Sequence, residues 1–541
     1  MNHQSYIFNK NHWTLEPDLK TILQRYWPGY RSKEQEFSDF GALVGCRAYA
    51  MADYVDHKAN PILVMHDLDG KRVDRARLDV LHSDLLKDIA FINQPPYQGG
   101  TWLHHFALGY LLADPGLYCS LIVTNQTAYA IYKYAPEHQT WLTALLKGEM
   151  WGATWMTETQ GGSDLGANST LARVQDGVWR LFGEDKYFAS NAGIADLAIV
   201  TARPEGAPEG PKGIALFLVP RLDDQGELNY QVRRLKDKSA TRAVPTGEVE
   251  FHDSQAFLVG EAKLGVYYTL ETLTVSRLAN AIGAMGLARK AHLESLFRVK
   301  SRTAFGKVLV EHPLVRWDLT DMAVRTAGGL CLAFHAIQAF DCAWRESPPY
   351  SILYHYARFL SHLSKNRTAD HVAEITRLAM ELFGGIGFLE EYAIARLHRE
   401  ALVTAIWEGA SNIQALDMLE VMYKKGAHEP FMDEFMPQLS KVGTPQAKFA
   451  RQTIEKTISN LSTSNPEQAQ WFSKDALARL ADATQVALLY AMAEIGGERY
   501  AKLARLYSQR FLSGEPYPDW AMHDKDIWWL IAESYNNLSR D

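Results

Sequence analysis

Residues 405–414 read Ala-Ile-Trp-Glu-Gly-Ala-Ser-Asn-Ile-Gln. One carboxylate, Glu408, stands between a large aromatic, Trp407, and a glycine, Gly409. An aromatic wall keeps water away and raises a carboxylate's proton affinity, while glycine lets a ligand or another backbone come close. A general base that takes a weakly acidic C–H proton needs this setting: partly desolvated, reachable and held in place. Alone the stretch says little, because Trp beside Glu is common and usually structural. Four other segments give it weight.

The first is Met156-Thr157-Glu158-Thr159-Gln160-Gly161-Gly162-Ser163-Asp164. Its paired glycines and serine let backbone N–H groups and a hydroxyl approach a phosphate or a ring edge, although a surface turn explains it as well. The second, Gly183 to Asn191, contains Lys186, Phe188 and Ser190 and reads equally as a plain hairpin with a buried aromatic. In the third, Ser301 to Lys307, Arg302 and Phe305 follow a long helical pattern, as in a basic helix end with a glycine stop. The fourth, Phe383-Gly384-Gly385-Ile386-Gly387-Phe388, neither follows a strand nor opens a βαβ unit. It is therefore no Rossmann fingerprint; a connection between helices would explain it.

The elements that must position these residues change texture along the chain. Residues 1–150 read as helical with an irregular start, and 29–70 show no clear period. Between 151 and 260, short apolar runs alternate with turn chemistry, and strands are expected at 197–201, 214–219, 231–234 and 247–251 of an antiparallel β domain. From 261 to 425 the helical period returns, with segments 278–296, 314–340, 352–363 and 372–382 forming a four-helix bundle. Residues 426–541 form an additional helical segment. The expected fold class is α+β and multidomain.

Composition narrows the function classes. The chain has 541 residues, 47% of them hydrophobic, and a net charge of −7, so no nucleic-acid or membrane bias is visible. Four widely spaced cysteines form no metal or redox pair, which fits a reducing cytoplasm. No apolar run is long enough for a membrane span. Neither Met1–Ser5 nor Asn537–Asp541 resembles a secretory or peroxisomal address. His104-His105 point apart on a helix and make a poor metal site; His252-Asp253-Ser254 reads as a strand end.

Taken in order, the five segments resemble the acyl-CoA dehydrogenase family over roughly residues 100–425. The resemblance implies a helical domain, a central β domain and a four-helix bundle, with FAD bound in extended form. It implies that Met156 and Thr157 line the flavin, that Ser163 lies near the diphosphate, and that Phe188 and Ser190 replace the usual Trp and Thr at the flavin. It places Arg302 and Phe305 against the FAD of a second subunit, in a homodimer or homotetramer. Gly384 and Gly385 would lie along the adenosine diphosphate, with Ser411 and Asn412 also at the cofactor. Arg277 matches an arginine below the active site, and Trp407 and Gly409 flank the substrate. Glu408 would be the base, the substrate an acyl-CoA, and the acceptor an electron-transfer flavoprotein.

Three further positions depart from the family pattern. Pro313 and Glu381 stand where glutamines are usual, which alters adenosine contacts, and Thr274 replaces an aspartate of CoA-binding members. Within the family, Lys58–Asp74 and the segment after Lys424 resemble the AidB branch of alkylation-response flavoproteins. That branch carries an alternative function with DNA binding and little dehydrogenase activity; an acyl-CoA oxidase is another. DNA is not favoured, because residues 424–541 hold 14 Lys/Arg against 15 Asp/Glu. Arg499, Lys502, Arg505 and Arg510, interleaved with Tyr500 and Tyr507, read as a solvated helix face.

Overall fold

The computed structural model describes residues 5–528; the readings of Met1–Gln4 and Asn537–Asp541 lie outside them. The chain divides into two compact units. One contains Met51–Gly100 and Pro115–Ser276; the other contains the residues up to Ala50, Thr101–Asp114, and Arg277 onward.

In the first unit a two-stranded ribbon, β1 (Ile62–His66) and β2 (Arg72–Arg77), turns at Gly70 with φ 81°. It falls partly in the stretch that showed no period: strands of five and six residues, the first with exposed apolar residues, give too little alternation to read. The sheet strands are β3 (Gly152–Trp155), β4 (Leu171–Gln175), β5 (Val178–Ala189), β6 (Leu197–Pro204), β7 (Ala215–Pro220), β8 (Gln231–Leu235) and β9 (Gly247–Leu258). All four expected strands are present. Pairing runs β6–β4–β5–β9–β7 and returns to β6, so the sheet closes on itself.

Most pairs are antiparallel as expected, but β3 and β4 each run parallel to β6. The chain leaves through the β4–β5 hairpin before reaching β6, and that excursion supplies the crossover a parallel pair needs. Side chains on β6 alternate between two cores. Ala198, Val200 and Ala202 face the sheet interior with Phe217, Val249 and Phe251. Leu197 and Ile199 pack with Ile131, Leu142 and Leu145 from the helices Pro115–Tyr134 and Gln139–Lys147. His252-Asp253-Ser254 does not end a strand: β9 continues to Leu258, and Asp253 with φ 60° sits beside a bulge.

The second unit is helical. α1 (Gly265–Ser301) enters it at Arg277, followed by α2 (Pro313–Ala343), α3 (Ile352–Phe383), α4 (Ala393–Val403) and α5 (Ser411–Lys425). Segments 352–363 and 372–382 are one helix, α3. The polar run Ser364–Asp370 that separated them is helical and mostly buried. Beyond Gly426 come α6 (His428–Val442), α7 (Pro445–Thr463), α8 (Pro466–Gly496) and α9 (Glu498–Tyr507). Two neighbouring glycines of α2 let helices approach on both sides. A Cβ on Gly329 would meet Met285 of α1 at 2.4 Å, and one on Gly328 would meet Gln485 of α8 and Tyr507 of α9 at 2.7 Å. Arg367 of α3 donates to both Asp482 oxygens of α8, at 2.6 and 2.8 Å, fixing the additional helices to the bundle.

Candidate active site

Glu408 lies in the loop between α4 and α5 and carries a left-handed backbone, φ 60°, followed by Gly409 at φ 97°. This conformation costs a non-glycine residue about 1–3 kcal/mol and persists only where the surroundings dictate it. Donors from three helices do so. Arg277 Nε of α1 donates to Glu408 O at 3.2 Å. Gln414 Nε2 of α5 donates to Glu408 O at 2.8 Å and to Gly409 O at 3.0 Å. Lys365 Nζ of α3 donates to Gly409 O at 2.8 Å and Ala405 O at 3.3 Å. The Thr404 carbonyl is anchored by Asn280 Nδ2 at 2.8 Å.

Around this loop the charges are ordered. Arg277 is 3% exposed and pairs with Asp417 at 2.8 Å. Burial pushes Asp417 up, but Arg277 outweighs it and holds the carboxyl below its usual range. His362 is brought down to about 3, by burial first and then by Arg277, so it stands neutral against Gln414 Oε1 at 2.9 Å. Trp407, Glu408 and Gly409 are half-buried, Ser411 is half-buried and Asn412 exposed at the start of α5. The structure brings Glu408, Arg277, Trp407, Gly409, Ser411 and Asn412 together at one end of α5. Lys365, Gln414 and Asp417 belong to the same cluster and were not anticipated. Only Gln414 and Asp417 follow Glu408 closely in sequence; Lys365 carries no local signal.

Elsewhere in this unit, Arg302 and Phe305 lie just past α1, on a hairpin formed by β10 (Thr303–Ala304) and β11 (Lys307–Val308). Phe305 is 95% exposed at its tip, with φ 51°. Gly384 and Gly385 form the exposed turn after α3, and a Cβ on either would meet nothing within 4 Å. That leaves open space against the backbone. Glu381 is held by Arg377, which also pairs with Glu374 at 2.7 Å.

In the sheet unit, Met156 lies just past the end of β3. It is 6% exposed and belongs to the core, and its carbonyl accepts from Asn168 Nδ2 at 2.8 Å. Its apolar side chain follows the burial pattern of its neighbours in the edge strand β3. Thr157 is half-buried, and Ser163 is exposed on the loop beyond Gly161, where a Cβ would again meet nothing within 4 Å. Phe188 is 52% exposed, with the Lys236 ammonium 4.7 Å from its ring centre. Ser190 bridges β3, accepting from Thr154 N at 3.2 Å and donating to Thr154 O at 3.1 Å.

The side sites are structural. His104 meets Glu36 at 2.6 Å, and His105 packs edge-on against Trp102. In the basic stretch, Arg499 pairs with Asp18 at 2.5 Å and Lys502 with Asp524 at 2.7 Å, and Arg510 lies 3.8 Å from Asp321. Tyr500 and Tyr507 are buried and donate to Asp18 and Asp482, which removes them as stacking surfaces for bases. Among the described residues no helix is long and apolar enough to cross a membrane.

Comparison with known proteins matches residues 153–254 to the acyl-CoA dehydrogenase middle domain and 263–423 to the acyl-CoA dehydrogenase C-terminal domain. Residues 2–150 match the adaptive response protein AidB N-terminal domain. The putative acyl-CoA dehydrogenase AidB of Escherichia coli is 30% identical, over 70% of this chain and 72% of its own length. Acyl-CoA dehydrogenase family member 11 of Caenorhabditis elegans is 32% identical, over 56% of this chain and half of its own length. Among solved structures, Caenorhabditis elegans ACDH-11 in complex with C11-CoA shares the fold with a TM-score of 0.82 at 23% identity, covering 99% of this chain and 95% of its own.

Proposed function

Because this chain belongs to the acyl-CoA dehydrogenase family, we propose that it oxidises an acyl-CoA, or a similar acyl thioester, between Cα and Cβ. Glu408 takes the α-proton, and the product is the α,β-unsaturated thioester. FAD, when bound, supplies the acceptor for the β-hydrogen, which leaves as hydride. The observation that carries the reading is the left-handed Glu408, held through its own and neighbouring carbonyls by Arg277, Lys365 and Gln414. With the backbone fixed from three helices, the carboxylate projects from a fixed point of the loop, as a base that must reach a C–H proton requires.

The residues present fit FAD. In the sheet unit, the exposed Phe188 face and the loop Gly161–Ser163, with open space at Gly161 and with Gly162 close against Thr157, suit a ring and a phosphate; Met156 and Thr157 border that surface. In the helical unit, the open turn Gly384–Gly385 suits a diphosphate, and Ser411 and Asn412 open α5, where helix N–H groups favour anions. Arg302 and Phe305, exposed on their hairpin, serve a second subunit of a homodimer or homotetramer. Electrons leave to an electron-transfer flavoprotein.

The test is an anaerobic titration of the purified flavoprotein with acyl-CoA thioesters of graded chain length and branching. Bleaching of the oxidised flavin band is expected with one class. Glu408→Gln is expected to keep FAD and slow that bleaching by about 10²–10⁴-fold, the range of a general base. Full-speed reduction in the variant would overturn the assignment. Rapid peroxide release in air would move the reading to an oxidase.

A further inference from the structure

Lys365 sits in the middle of α3 and is 1% exposed. Lysines are almost never fully buried without a compensating charge. Its two bonds go to neutral carbonyls, Gly409 O and Ala405 O, on either side of Trp407-Glu408. These carbonyls take two of the ammonium's three hydrogens and leave its charge to be balanced elsewhere.

The charges facing the loop come from α1, α3 and α5. Arg277 of α1 is paired with Asp417 of α5. On α3, Arg358 lies 3.6 Å from Glu420, and His362 is neutral. Burial brings Lys365 down to about 8; the Glu408 carboxylate is the foremost charge pulling it back up, Arg277 pushes it down, and Asp370 helps it weakly. The balancing charge for Lys365 is thus the base itself.

We propose that Lys365 is a positioning residue for Glu408: its two carbonyl bonds set the loop, and its positive charge keeps the base ionised in the resting site. The proposal rests on Glu408 being the base. It gives the base two opposed influences. Trp407 and the arriving substrate remove water and raise its proton affinity, while the fixed ammonium lowers it. A carboxylate so balanced is ionised before substrate binds and basic enough afterwards.

The experiment uses the holoenzyme and its Lys365→Met, Lys365→Arg and Glu408→Gln variants. The Glu408 carboxyl is titrated by pH-difference infrared spectroscopy, assigned as the band absent in Glu408→Gln, and octanoyl-CoA drives single-turnover flavin reduction between pH 6 and pH 9. In Lys365→Met the Glu408 midpoint is expected to rise, and reduction at pH 6 to fall about tenfold or more relative to pH 9, since each tenfold follows one decade of proton affinity. FAD content stays unchanged, and Lys365→Arg brings the midpoint back. An unmoved midpoint, or a loss of rate equal at all pH values, overturns the proposal.

Should Lys365→Met not fold, reciprocity supplies the second measurement. Glu408→Gln is expected to lower the Lys365 ammonium further below about 8, read by NMR of 15N-labelled lysine, and an unchanged Lys365 signal overturns the proposal equally. If octanoyl-CoA and its shorter and longer homologues reduce no flavin in the parent protein, the dehydrogenase reading fails. The infrared and NMR titrations still decide whether the two groups are coupled.

Discussion

At the residue scale, two of the motif segments meet through a buried ion pair. Glu158 and Lys186 are both 0% exposed and 2.8 Å apart. Ser169 and Thr170 donate backbone and hydroxyl hydrogens to Glu158, and Lys186 also donates to Thr201 O at 2.8 Å. Burial pushes Glu158 up, but Lys186 and these donors outweigh it and hold the carboxyl at about 2; at Lys186 burial wins and the ammonium is lowered. The pair is therefore strong evidence for a fixed loop and weak evidence for net stability. Lys186→Met is expected to cost about 3–5 kcal/mol, because it strands a buried carboxylate, and the double variant with Glu158→Gln to recover most of that loss. Urea unfolding of both measures it, and equal costs would show that the charge left behind does not matter. A depressed carboxylate adds stability that is complete above its ordinary value of 4.5 and is lost as pH falls towards about 2. Lys186→Met should lack that acid step. Glu408, Gly409 and Gly384 stand out in the sequence because their residue types carry a local signal, and all three have a left-handed backbone. Lys365 does not stand out, since its partners lie in a loop some forty positions on, and spacing along the chain cannot report them.

At the element scale, the helical bundle was legible from its period, and the single α3 was not. Ser364 to Asp370 looks like a loop, yet its polar groups are spent inside: Lys365 on the Glu408 loop, Arg367 on Asp482, and Thr368 on the Ser364 carbonyl at 2.7 Å. The β strands were legible where both faces are apolar, as in β6 and β7, and β3 escaped because four residues give too short a pattern. The glycine pair of α2 allows a test of how tightly the helices are set. Replacing a helical glycine by alanine gains about 1 kcal/mol of propensity, while overpacking costs about 1–3 kcal/mol. At Gly329 the nearest atom is the sulfur at the flexible end of Met285, which can yield, so Gly329→Ala should be near neutral. At Gly328 the obstacle is the Tyr507 ring, pinned by its bonds to Asp482 at 2.7 Å and His371 at 2.8 Å. Gly328→Ala should therefore lose about 1–2 kcal/mol net. Thermal unfolding of the two variants measures the contrast, and equal shifts would show that ring and thioether yield alike.

At the scale of the whole molecule, three apolar side chains near helix ends stand strongly exposed. Phe305 is 95% exposed, Phe388 84% and Leu314 80%, at the turn after α1, the turn after α3 and the start of α2. Single exposed apolar residues are ordinary, but Phe305 also carries a left-handed backbone, φ 51°, ahead of Gly306 at φ 74°. A bulky residue in that region is an outlier whose cost of about 1–2 kcal/mol has no return while its ring stands in water. Among the described residues its ring neighbour is His312, edge-on with centres 6.2 Å apart. In the proposed homo-oligomer the return would come from burial against a second copy, where an aromatic side chain fully removed from water regains about 1.5–3 kcal/mol. Phe305→Ser keeps the hairpin and removes that gain, once per copy of the interface. In a symmetric assembly the loss is counted at each equivalent contact, so sedimentation at micromolar concentration should show the variant shifted to a smaller species, with less FAD retained after gel filtration. The far-ultraviolet spectrum should be unchanged, since the ring contributes nothing to the folded chain by itself. An oligomer and FAD content equal to the parent's would mean that the tip touches neither a second subunit nor its cofactor, and the strain at Phe305 would then need a different explanation.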